Sequence, residues 1–198
     1  MSQRILRSFK KSKSDDENYV KLDKISGIIY VMGEITPGIA SDFRQFVQVL
    51  TRSKNHTDII VEINSPGGDI EAGLMMIDTI RLSAKPVTTR VTGVAMSMAA
   101  LILAAGGHRE ATPMSTIMVH QGIYKFSSTF DEIEVESSEC IRLEHLCNEF
   151  LDKATQRPPG YWAQRHNGKN LYLTAEQALQ EGLIHSIMKK KKEIVPNE

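Results

Sequence analysis

The chain of 198 residues predicts an α/β fold with flanking helices on a mostly parallel sheet, and three features lead there. Short β-branched runs alternate with stretches of helical apolar spacing, the pattern of successive strand–helix units. Strand ends run into small-residue turns at Asn64-Ser65-Pro66-Gly67-Gly68-Asp69 and at Gly93-Val94-Ala95-Met96-Ser97. A long helix is expected from Phe130 to Ala154, with Cys140, Leu143, Cys147, Phe150 and Ala154 as its apolar stripe.

Residues 1–18 are polar and charged and are expected to form a flexible arm ahead of a single domain over 19–198. The apolar run 27–32, closed by Gly33, predicts a strand. Thr36 is placed to cap a helix with Pro37 in its first turn, and Phe43, Phe46, Val47 and Leu50 follow at helical spacing. Residues 58–63 predict a second, buried strand, followed by a helix with Ile70, Leu74, Ile77 and Ile80 on one face. A third strand is expected over 86–94, a small-residue helix over 96–105, and a fourth strand over 116–119 ending at His120. Arg157-Pro158-Pro159-Gly160 stops the long helix. Thr174 caps a last helix, Gly182 closes it, and 183–188 predict a final strand.

Acidic and basic residues balance at 24 each, so there is no global electrostatic case for nucleic acid. The basic runs 4–13 and 189–192 read as solvated tails. No signal-peptide pattern opens the chain, and the longest low-charge stretch, 91–107, falls short of the ~20 apolar residues of a membrane helix. No membrane partner is expected, and a cytoplasmic setting is. On one helix Cys140 and Cys147 would lie about 10 Å apart along the axis, too far for a disulfide, so they read as reduced core residues. No Cys/His cluster has ligand spacing, so neither a metal nor a cofactor is expected.

In Gly93-Val94-Ala95-Met96-Ser97-Met98-Ala99-Ala100 a strand meets a sharp turn and a helix. That geometry lifts a hydroxyl onto a corner and lets the following amide face an oxyanion. Taken alone, such a serine is a helix cap. Gly67 and Gly68 allow backbone amides to turn toward a ligand, but alone they make an ordinary turn. A phosphate loop would need the missing Walker Lys-Ser/Thr pair or G-x-G-x-x-G. His120, in Ile117-Met118-Val119-His120-Gln121, has the rigid mount a general base needs, though a lone His there reads as structural.

Together, "INSPGGD", "GVAMSMAALILAAGG", "IMVHQ" and "YLTAEQALQEGLIHSI" resemble the ClpP peptidases, the proteolytic subunits of Clp proteases, over residues 28–187. The resemblance implies a ClpP/crotonase-like fold and a serine endopeptidase working inside an oligomeric ring. It implies Ser97 as nucleophile, His120 as base, and the amides of Gly68 and Met98 as the oxyanion hole. Gly67, Asp69, Ile70 and Gln121 would hold the peptide, partly as an added strand. The implied partners are peptide or unfolded-protein substrates, further copies in a stacked homo-oligomeric ring, and an AAA+ unfoldase.

The chain departs from the family's pattern in places. Asn170 stands where the third triad member is usually Asp, and an amide cannot offset an imidazolium charge. Gly122 replaces the usual Pro after His-Gln, residues 123–129 lack a Gly-Gly pair, and His185 replaces an Asp. Residues 10–24 are highly charged where relatives carry an apolar, tyrosine-containing segment. His166 and His185 read as surface residues. Alternatives are a weak or inactive structural subunit of a mixed ring, which Asn170 favours, and a crotonase-type acyl-CoA enzyme, which needs no Ser–His pair.

Overall fold

The computed structural model describes residues 18–124 and 129–189. Residues 1–17 of the arm expected over 1–18, the basic run 4–13, nearly all of 189–192 and the centre of the 123–129 stretch lie outside them. The elements are β1 (Tyr19–Asp23), β2 (Ile28–Met32), α1 (Pro37–Arg52), β3 (Ile59–Ser65), α2 (Ile70–Arg81), β4 (Val87–Met96) and α3 (Met98–Ala104). They continue with β5 (His108–Ala111), β6 (Thr116–Val119), α4 (Phe130–Ala154), α5 (Tyr161–His166), β7 (Leu171–Thr174), α6 (Ala175–Glu181) and β8 (Ser186–Ile187).

The strands form one sheet in the order β1-β2-β3-β4-β5-β8, with β6 and β7 branching from β4. Every pairing is parallel except β1–β2 and β6–β7. The core-side residues of the two central strands are Ile59, Val61 and Ile63 from β3 and Val87, Thr89 and Val91 from β4. Phe43, Val47 and Leu50 of α1, Met76 and Ile80 of α2, and Ile102 and Leu103 of α3 are buried in the same core cluster. The alternate residues carry polar groups: Glu62, Arg90 and Glu110 share one rung, and Arg90 pairs with both carboxylates. The buried strand expected over 58–63 is β3, and its burial lies along one face.

The branch point is a change of partner within β4. Its first half pairs with β5 up to Val91, and from Val94 it pairs with β6. Between them the β3 register slips, so that Ile63 faces Val91 but Ser65 faces Ala95. Gly93 sits in this bulge at φ 126°, a region L side chains avoid. Asn64 Oδ1 accepts the Val94 N–H at 3.1 Å and would lie 2.6 Å from any β-carbon on Gly93.

Two helix starts carry the expected caps, Thr36 and Thr174, and a third is capped by Asp69, which the sequence places only at the peptide site. Thr36 Oγ1 accepts from the Ile39 N–H, Asp69 Oδ1 from Ala72 at 2.7 Å, and Thr174 forms a capping box with Gln177. α5 is seated by buried side chains. Asp152 accepts the N–H groups of Gly160 and Trp162, and the fully buried Trp162 donates to Thr155. Glu181 gathers Tyr161, Arg165 and Arg157.

Arg109 was not anticipated. It is buried, and among the described residues no carboxylate pairs with it. Its guanidinium donates to the carbonyls of Ala104, Gly106, Ala154 and Gly182, at the C-terminal ends of α3, α4 and α6. Those ends carry partial negative charge and orphan acceptors, so one cation serves three helices. Replacing Arg109 by Met leaves buried carbonyls unpaired. The expected loss is about 3 kcal/mol, or roughly 6–12 °C in Tm for a chain of this size, measured by thermal and urea denaturation.

Candidate active site

The partner change in β4 brings two strand ends together. Parallel pairing of Met96 with Met118 sets Ser97 beside the end of β6, and the Ser97 N–H donates to Met118 C=O at 2.8 Å. His120 is the first residue after β6. Its Nε2 lies 2.8 Å from Ser97 Oγ. For the hydroxyl to donate, the ring proton must sit on Nδ1. Ser97 occupies the position before α3, yet its hydroxyl makes no cap bond. Its backbone is held at φ 51°, ψ −125°, a sparsely populated region of the kind found at strand-to-helix nucleophile turns.

The Gly67-Gly68 turn packs directly onto this corner. A β-carbon on Gly67 would lie 2.8 Å from Ser97 Cβ and 3.0 Å from the Met98 nitrogen. Gly68, at φ 152°, is bridged to Ile35, and a β-carbon there would meet Ile35 O at 2.2 Å. The Gly67 carbonyl accepts from Ile35 and the Ile35 carbonyl from Asp69. Among the described residues the Gly68 and Met98 N–H groups have no acceptor. Two free amide donors therefore flank the hydroxyl, the donor set an oxyanion requires.

The remaining sequence-predicted positions are spread around this centre. Ile70 lines, with Met98, Leu101, Val119 and Leu151, a recess of about 40 Å³ at the Ser97–His120 pair. A cleft of about 380 Å³ continues past Gly68, Asp69 and Ile70 to Ile123 and Tyr124. Asp69 is exposed and committed to capping α2. Gln121 is exposed. A larger cavity, about 670 Å³ between α1 and α2, contains none of these residues.

Asn170 is reached by the backbone but not used by the side chain. The antiparallel pairing of Val119 with Leu171 puts His120 and Asn170 at the adjoining rung. Asn170 is nevertheless exposed, and among the described residues its amide makes no hydrogen bond. His166 corrects an expectation. It is buried, 6% exposed, because α5 turns it inward between Asn148 Oδ1 at 3.1 Å and the Gly168 N–H at 3.1 Å. Burial holds its pKa below the ordinary range, with Glu144 opposing that shift and His120 adding to it. His185 is exposed, as expected, and its Nδ1 accepts the Arg109 N–H. Both cysteines are free, and burial pushes the Cys147 thiol up to about 11. Among the described residues no group of three His, Cys, Asp or Glu could hold a metal, and no helix is long and apolar enough to cross a membrane.

A family model described as Clp protease matches residues 11–191. The chain is also similar to the ATP-dependent Clp protease proteolytic subunit of Ligilactobacillus salivarius (strain UCC118). The two are 34% identical over 169 residues, which cover 84% of this chain and 85% of that one.

The buried imidazole of His166 predicts a pH effect on stability. Unfolded, the ring takes up a proton near its ordinary value of about 6.5, whereas the folded ring does so only at lower pH. The unfolded state therefore binds more protons in that window, and stability falls as pH drops below about 6.5. Urea midpoints compared at pH 7 and pH 5 are expected to fall less in His166→Gln than in the parent chain.

Proposed function

The chain belongs to the Clp protease family and is a serine peptidase, and on that premise we propose that Ser97 is its nucleophile, His120 its general base, and the Gly68 and Met98 amides its oxyanion hole. The observation that carries this reading is the 2.8 Å contact between Ser97 Oγ and His120 Nε2. As Oγ attacks the scissile carbonyl, its proton passes to Nε2 and a C–O bond forms. The carbonyl oxygen, now an oxyanion, is met by the two free N–H groups. Collapse breaks the C–N bond, and His120 gives its proton to the leaving amine. Water, deprotonated by the same ring, then releases the acyl group and restores the hydroxyl.

The substrate is an extended peptide or unfolded protein. The cleft past Gly68 and Ile70 suits it, because backbone pairing tolerates many sequences. Gly67, Asp69 and Gln121 would frame that strand. Asn170 keeps the third triad place in the chain order. Without a bond to His120 or a charge, it contributes little to imidazolium stabilisation, so the dyad and the amides carry the reaction.

Assembly into a stacked ring of identical copies belongs to the same proposal. Val135 is 71% exposed and Ile141 60% exposed on α4, apolar surface a second copy would cover. The relative's name makes that protein ATP-dependent, and an AAA+ unfoldase as partner is carried over here as a proposal. A second reading, a subunit that shapes a mixed ring without catalysis, is favoured by the unbonded Asn170.

Labelling with a fluorophosphonate serine probe separates the two readings. The parent chain is expected to label and to hydrolyse a fluorogenic peptide, and Ser97→Ala to do neither. A well-folded oligomer that fails to label would rule out the catalytic reading and leave the structural one.

A further inference from the structure

We propose that Glu144 is a positioning residue for the reaction, holding the segment that carries His120 through the Gly122 N–H and tying it to the turn ahead of β7. This rests on the assignment of Ser97 and His120 above. The Gly122 N–H, two residues beyond His120, donates to Glu144 Oε2 at 2.9 Å. Glu144 Oε1 accepts from Asn148 Nδ2 at 2.9 Å, and Nδ2 also reaches the Glu144 carbonyl at 3.0 Å. Asn148 Oδ1 faces His166 Nε2 at 3.1 Å, and His166 Nδ1 accepts from the Gly168 N–H at 3.1 Å.

The polarity of this chain is determined from both ends, because a backbone N–H can only donate. The Gly168 amide makes His166 Nδ1 an acceptor, so the ring proton is on Nε2 and is donated to Asn148 Oδ1. The Asn148 NH₂ therefore faces Glu144. Glu144 must accept from Asn148 on one oxygen and from Gly122 on the other, which only a carboxylate does. His166 and Asn148 are buried at 6% and 9% exposure, so a reversed group in the chain would leave polar atoms buried without partners.

The relay starts two residues after His120 and ends two residues before Asn170. A third triad group would join these same two segments, and the Asn170 side chain does not join them. Gly122 supplies the N–H that a proline there would lack. Glu144 also lines the recess at Ser97 and His120. A base displaced by about 1 Å from its nucleophile can cost on the order of 10²-fold in rate.

The test is made on the full chain, with Glu144→Gln, Asn148→Asp and the double variant. Glu144→Gln leaves one acceptor too few, and Asn148→Asp alone sets two carboxylates face to face. Together the two changes restore the side-chain polarity, though not the bond from Asn148 to the Glu144 carbonyl: the new amide accepts from Gly122 and donates to the new carboxylate, which also accepts from His166. Each single variant is expected to lower fluorophosphonate labelling and kcat by about tenfold or more, with KM changed less than about threefold. The double is expected to recover to within about fivefold. A purely structural role would lower Tm without that recovery. Glu144→Gln labelling at the parent rate, or a double variant no faster than the singles, would overturn the inference alone. A parent chain that does not label would overturn the Ser97–His120 assignment and this inference with it.

Discussion

Everything at the candidate site depends on β4 changing partners at Gly93. Before the bulge β4 belongs to the sheet that runs on through β5 and β8; after it, the strand pairs with β6. A straight β4 would keep β5 as its neighbour and leave β6 without a mount. The bulge is fixed chemically: Asn64 Oδ1 takes the Val94 N–H, and only a residue without a β-carbon fits beside it. The strand that ends at Ser97 and the strand that ends at His120 thereby become neighbours, and Met96–Met118 pairing brings the two residues together.

Three strand ends and two helix starts then converge. β4 supplies the strained serine, β6 the imidazole, and β3, through its glycine pair, one of the two free amides; α3 starts with the other. The Gly67–Gly68 turn is held by Ile35 on one side and presses on Ser97 on the other. Backbone parts such as these need no charge to stabilise an oxyanion, so the site keeps its main electrostatic element although the position of Asn170 lacks a carboxylate. The missing third partner is offset in geometry by the Glu144–Asn148–His166 relay, which binds the same two segments.

What was legible in the sequence is what local chemistry dictates. Caps at Thr36 and Thr174 announce themselves because a side-chain oxygen must meet a free N–H, and the long helix expected over 130–154 is α4. β1, β5, β7 and α5 were missed because they are short; β5, His-Arg-Glu-Ala, is also polar, and the three strands exist through pairing with neighbours rather than by their own pattern. The meeting of Ser97 and His120 could be expected only by joining motifs far apart in the chain. The burial of His166 and Arg109, and the use of Glu144, were not readable. Each depends on partners well separated in the chain: Asn148 for His166, Ala154 and Gly182 for Arg109, Gly122 for Glu144.

The most direct measurement is a crystal structure of the chain after reaction with a fluorophosphonate. The account predicts phosphorus bonded to Ser97 Oγ, with one phosphoryl oxygen at about 2.7–3.1 Å from both the Gly68 and Met98 nitrogens, and His120 within reach of the adduct. An adduct oxygen turned to solvent, or a Gly68 amide bonded elsewhere in the protein, would contradict it.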